Sequence, residues 1–243
     1  MAEGNGLLNR RRGNSTASSN LAPSAIFSSK SFKHPIKKQL PETLQSKINI
    51  FGDEIRKRLN EFQNIKAESI FYEFCFCILT PQSSAKNAIE VQKKLTSQDF
   101  LNKPFDPTEI LFNKNHYIRF HNQKAKRLLN ARDYFPRLEN ILGAEISKFE
   151  KRKIIKDEFL GIGMKETSHF LRNIGFKNLA IIDRHILRNL EFCGVCQNTV
   201  PPKNEKQYLE IEKLFYNYSL EIGIEMDFLD LLFFANSTGQ VLK

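Results

Sequence analysis

Residues 67–80, AESIFYEFCFCILT, are apolar on nearly every side of a helix. Such a helix is stable only when other elements surround it. Its core, YEFCFCILT, runs for nine residues and stops at Pro81, well short of the ~20 residues that cross a bilayer. It is therefore a core helix, and the rest of the chain must supply the layers around it. No apolar run reaches membrane length, and no signal-peptide apolar region stands near the start.

Those layers are helical too. PETLQSKINIFGDEIRKRLNEF (41–62) carries apolar residues at 44, 48, 51, 55, 59 and 62, a spacing of three to four. After Pro81, SSAKNAIEVQKKL (83–95) resumes the same period, with Ser83 or Ser84 placed to cap it. HNQKAKRLLNARDYF (121–135), SKFEKRKIIKDEFL (147–160), KQYLEIEKLFYNYSLEIG (206–223) and EMDFLDLLFFANSTG (225–239) are further amphipathic helices. The one β-rich run is LAIID at 179–183. The expected fold class is all-α, without internal repeats.

At 243 residues and 41% hydrophobic, the chain can bury a core in one or two domains. Its formal charge of +10 invites a polyanionic partner. Most of that charge is local, because residues 1–40 carry three arginines and four lysines against Glu3 alone. This Ser-, Asn- and Arg-rich segment lacks periodicity and is expected to be a disordered basic tail. A mitochondrial transit peptide or basic import signal also fits its composition.

Cys75 and Cys77 lie two apart in a helix and point to nearly opposite faces, so they cannot bridge. Cys193 and Cys196 form a lone C-x-x-C without a second pair or nearby histidine. Packed thiols in a reducing, intracellular setting are expected, with no metal site.

The chemistry-bearing stretch is FLGIGMKETSHFLRNIG, residues 159–175. One helix ends at Phe159-Leu160, Gly161-Ile162-Gly163 forms a tight hairpin, and a second helix runs from Met164 to Ile174 before Gly175 ends it in the left-handed conformation. Glycines there let another molecule approach the backbone, and the N–H groups that open the second helix suit a phosphate oxygen. A hairpin that merely packs is the alternative. Lys165 sits in the first turn, where the helix dipole disfavours an ammonium by about 0.3–1 kcal/mol and so favours the amine that a nucleophile must be. A phosphate-contacting lysine is the plainer reading. Eighteen residues on, Asp183 opens the helix of LAIIDRHILRNL. It either caps that helix, worth about 1 kcal/mol, or also faces the hairpin helix as a carboxylate near a cationic sugar.

G-x-G-x-K followed eighteen residues later by Asp in a D-x-H-I context resembles the helix–hairpin–helix DNA glycosylases with lyase activity. The order LGIGMKETSHFLRNIG…LAIIDRHILRNL with a closing TGQVLK is most similar to the archaeal-type second family of 8-oxoguanine DNA glycosylase/AP lyases. ILTPQSSAKNAIEVQKKL looks like the superfamily's segment that enters DNA near the lesion, and IRFHNQKAKRLLNAR like the helix after it. The likeness runs from about residue 65 to the end.

This resemblance implies a two-domain helical architecture with a cleft between the domains. Residues 41–66 and 178–243 would form one domain, and 67–177, with the hairpin, the other. It also implies extrusion of an oxidised guanine from double-stranded DNA, attack of Lys165 on the sugar C1′, and strand cleavage by β-elimination. Asp183 would hold the lysine and stabilise positive charge on the sugar. Gly161, Gly163 and the Lys165 backbone would bind phosphate, with room for a monovalent cation but without an iron–sulfur cluster. Gln82 would fill the space left by the base, and Arg184 and His185 would contact the backbone. A surface salt bridge is the alternative for Arg184, and a helix-turn polar group for Gln82. Lys243 and its carboxylate would read the base. The chain has no tryptophan, whereas related enzymes often place an aromatic ring from the last helix near the base. Phe233 or Phe234 would stack instead, or both would be core. The expected protein is monomeric, has no membrane association and works with DNA inside the cell. An endonuclease III-like enzyme for oxidised pyrimidines would need four clustered cysteines after the Asp; a bare helix–hairpin–helix module would not need the Lys–Asp pair.

Overall fold

The computed structural model describes residues 39–243, so the tail read over residues 1–40 lies almost wholly outside it. Among the described residues there are eleven α-helices and no strand. They are α1 (Glu42–Gln63), α2 (Ala67–Leu79), α3 (Ala85–Ser97), α4 (Thr108–Phe112), α5 (His121–Asp133), α6 (Phe135–Gly143), α7 (Lys148–Glu158), α8 (Met164–Asn173), α9 (Arg184–Phe192), α10 (Glu205–Ile222) and α11 (Met226–Thr238). A short 3₁₀ turn, Lys114–His116, follows α4.

Helix α2 is central, as its composition requires. Every residue from Phe71 to Leu79 is buried. Helices α3, α5 and α8 pack around it, and Phe71, Phe74 and Phe76 meet rings from Phe135, Phe159, Phe170 and His169. The helix starts are set by local chemistry. Ser147 and Glu150 close a capping box on α7, and Asn204 caps α10. Ser84 occupies the N-cap of α3 but makes no capping bond; the Ser83 hydroxyl instead accepts from the Arg119 N–H. The helical run expected over 121–135 ends at Asp133, and Pro136 lies at the start of a separate helix, α6.

The LAIID run is extended but joins no sheet. Its backbone is satisfied by side chains. The Ala180 N–H donates to Glu212, the Tyr208 hydroxyl donates to the Ala180 carbonyl, and the Ile182 N–H donates to that hydroxyl.

Buried apolar side chains form two clusters. One runs from Phe71 to Leu179. The other combines Leu40–Phe62 with Ala180–Val241. Buried ion pairs fasten them together. Arg152 of α7 makes a bidentate pair with Glu212 of α10, at 2.6 and 2.8 Å, and Arg172 of α8 pairs with Asp230 of α11 at 3.3 Å.

Candidate active site

The hairpin is built as its sequence predicts. Helix α7 stops at the buried Phe159, Leu160 stands in solvent, and Ile162 turns back into the first cluster. Gly161 has φ +81°, and a Cβ there would lie 2.3 Å from Cδ and Nε of Arg127. The left-handed backbone therefore demands glycine, while a Cβ would displace only the flexible end of Arg127. Arg127 makes no ion pair or hydrogen bond among the described residues, so a guanidinium lies unpaired on the hairpin.

Lys165 is in the first turn of α8, its side chain 35% exposed. Its N–H has no hydrogen-bond partner among the described residues. Its ammonium lies 3.0 Å from Glu166 Oε1, while Glu166 Oε2 accepts from the Gly163 N–H at 3.2 Å. Among the described residues the carboxylate beside Lys165 is thus Glu166, and the Gly163 N–H donates to the same side chain. Asp183 is turned onto its own helix, where Oδ1 accepts from the N–H groups of His185 and Ile186 at 2.7 and 2.9 Å. Its Oδ2 takes no hydrogen bond among the described residues.

Beside that cap, Arg184 is exposed and donates from Nε to His185 Nε2 at 3.3 Å, with no carboxylate partner among the described residues. The surface salt bridge considered for it is therefore not formed. Burial lowers the His185 imidazole below its ordinary pKa. Its ring meets Phe234 edge-on at 5.4 Å. Phe234 is half-buried next to this site. Phe233 is not: it is fully buried and stacked on Phe215 at 5.7 Å. One residue along a helix turns a side chain by about 100°, which sends Phe233 into the core and removes it from the candidate base pocket.

Lys243 crosses to the other apolar cluster. Its Nζ donates to Glu73 of α2 and to Gln92 of α3 and lies 4.7 Å from the Phe76 ring centroid. Glu73 also accepts from Gln92 and from Asn173 of α8. The Phe76 ring beneath Lys243 also meets His169, one turn after Lys165, edge-on at 5.4 Å, and burial keeps that imidazole neutral. Through Phe76 and the shared Glu73, Lys243 is linked to the helix that carries Lys165. Gln82 is exposed, with φ +55°.

The cysteines are not gathered: Cys75 and Cys77 lie in one apolar cluster, Cys193 and Cys196 at the other, and none is in a disulfide. No group of three or more His, Cys, Asp or Glu side chains suited to a metal occurs among the described residues. No helix there is long and apolar enough to cross a membrane.

Glu166, Arg127, Glu73 and His169 were not singled out from the sequence. Glu166 had a signal, an acid at the third helical position; the others meet the site only through packing.

A family model described as 8-oxoguanine DNA glycosylase matches residues 55–224. The 8-oxoguanine DNA glycosylase/AP lyase of Aquifex aeolicus is 41% identical over 179 residues, 72% of this chain and 78% of its own. That of Methanocaldococcus jannaschii is 38% identical over 214 residues, 85% of this chain and 98% of its own. The crystal structure of the Methanocaldococcus jannaschii glycosylase/lyase with a 15mer DNA containing 8-oxoguanine superposes with a TM-score of 0.72 at 34% identity, covering 83% of this chain and all of that one.

Proposed function

Since the chain belongs to the 8-oxoguanine DNA glycosylase family, we propose that Lys165 is the nucleophile by which it cuts the glycosidic bond of 8-oxoguanine. The protein is a bifunctional DNA repair enzyme, a glycosylase and AP lyase acting on double-stranded DNA that contains the oxidised base. It works where DNA is.

In this reading the neutral Lys165 amine attacks C1′, the base leaves with a proton, and the open sugar forms a Schiff base. Loss of a C2′ proton then breaks the bond from C3′ to oxygen, cutting the strand 3′ to the lesion. The uncommitted oxygen of Asp183 faces the positive charge that grows on the sugar, and a fixed carboxylate in a water-poor site lowers such a barrier by several kcal/mol. Phosphate is held by the Lys165 N–H, Gly161 and the unpaired Arg127, with Arg184 and His185 further along the backbone. The Gly163 carbonyl is already taken by the Thr167 N–H and hydroxyl, so a monovalent cation at the hairpin would have to use other carbonyls. The reaction as drawn uses no metal.

DNA lies between two lobes in this reading, residues 41–66 with 178–243 and residues 67–177, and the enzyme acts as a monomer. Gln82 fills the gap left by the extruded base. Lys243 borders the base pocket, with its ammonium committed to Glu73 and Gln92 and Phe234 on the α11 side. The observation that supports this arrangement is that Lys243 shares the Glu73 carboxylate with Asn173 of α8, the helix that carries Lys165. Borohydride trapping tests it: duplex with 8-oxoguanine yields a covalent adduct with the native chain and none with Lys165→Ala. Adduct formation by that variant would remove Lys165 from the role.

A further inference from the structure

Lys124 of α5 is 1% exposed, and nothing in the reaction above uses it. Its Nζ donates to the Leu79 carbonyl at 2.7 Å, the Pro81 carbonyl at 2.6 Å and the Ser83 hydroxyl at 3.1 Å. An ammonium has three donors, and here each has one oxygen. Two of these oxygens lie in the five-residue turn between α2 and α3, and the third is on Leu79, the last residue of α2. Ser83 is pinned a second time, accepting from the Arg119 N–H at 3.0 Å.

Between those anchors stands Gln82, a residue with a Cβ held at φ +55° and exposed to solvent. Left-handed backbone is unfavourable for such a residue and persists where the surroundings over-determine it. Its side chain has no hydrogen bond among the described residues. The turn is thus fixed from beneath while its tip carries an uncommitted amide outward. Methionine would fill the volume of Lys124 without the cost of burying a charge, so the chain retains that cost for the three bonds. Burial pushes the Lys124 ammonium down to about 8, which leaves it charged at neutral pH.

We infer that Lys124 is a positioning residue that presets the Gln82 turn for entry into the duplex. This rests on the reading of Gln82 as the group that fills the space of the extruded base. Extrusion breaks stacking and pairing, and a filler already rigid in its working shape loses no freedom on entry.

Lys124→Met keeps the side chain's length and removes its donors. Single-turnover excision of 8-oxoguanine from duplex falls about tenfold, the scale of one or two hydrogen bonds. Incision at a preformed abasic site, where no base is stacked, falls far less. Gln82→Ala gives the same split, and Lys124→Met adds little in the Gln82→Ala background. Ser83→Ala, which removes one of three acceptors, gives a smaller split in the same direction and serves if Lys124→Met folds poorly. Equal losses on both substrates, or effects of Lys124→Met and Gln82→Ala that simply add, overturn the positioning role. A Gln82→Ala variant without the split overturns the wedge reading and this inference together, while trapping at Lys165 still reports separately on the enzyme.

Discussion

The ammonium of Lys165 lies 3.0 Å from the carboxylate of Glu166, its neighbour in the chain. Glu166 also closes on the Gly163 N–H, so it braces the hairpin that presents the lysine. Glu166→Gln keeps an acceptor for that N–H and removes the charge. A partly exposed ion pair is worth about 0.2–1 kcal/mol, so the borohydride trapping rate of this variant stays within about fivefold of native. A variant slower than that at every pH would mean that Glu166 takes part in the chemistry.

In the proposed reaction Asp183 has separable duties at its two oxygens, capping α9 through Oδ1 and facing the sugar through Oδ2. Asparagine is also a good N-cap, so Asp183→Asn keeps the melting temperature near that of the native chain. Its single-turnover excision rate drops about 10²–10³-fold, the usual scale for a lost electrostatic stabiliser. Asp183→Ala loses the cap as well and about 1 kcal/mol of stability. Rates in Asp183→Asn within a few-fold of native would reduce Asp183 to a cap.

Arg127 lies on the hairpin without a partner. Replacing it with Met removes one phosphate contact, so the slope of log affinity against log salt for duplex DNA shrinks by about 0.9. An unchanged slope would place the phosphate elsewhere.

Deleting Lys243 leaves Glu73 without its cation and opens the wall beside His169. Excision of 8-oxoguanine then falls more than cleavage at an abasic site. Equal loss on both would end the base-reading role.

Asp230 is buried, and burial, with the nearby Asp183 and Asp227 carboxylates, pushes its pKa up to about 7 although Arg172 opposes the shift. The folded state therefore binds this proton more tightly than the unfolded chain does. Its contribution to stability is complete below about pH 4 and is lost as pH rises through about 7. The urea midpoint accordingly falls across that interval, and Asp230→Asn flattens this part of the profile. A native midpoint that rises steadily to pH 8 would contradict the shift.

What could be read from the sequence was what the chain decides locally. The Gly161 turn, the left-handed Gly175, the Asp183 cap and the buried helix at 67–80 all follow from neighbours within a few positions. Lys124 meets Leu79, Lys243 meets Glu73, and Arg127 covers Gly161 across separations of 34 to 170 residues, which periodicity does not record. Phe233 and Phe234 were indistinguishable on paper because α11 is apolar on nearly all sides. Only packing on Phe215 and His185 decides which ring faces the site. LAIID was the one β-rich run because its isoleucines favour extended backbone, and extended it is, with Glu212 and Tyr208 standing in for a neighbouring strand.

The left-handed Gln82 has a bearing on search. A repair enzyme meets a vast excess of undamaged base pairs, and each encounter is brief. A turn that had to order itself at every step would add its own waiting time to each inspection. In the role proposed for Gln82, its preset backbone passes the delay to the duplex, so that the step rate along undamaged DNA is governed by how readily each base pair opens.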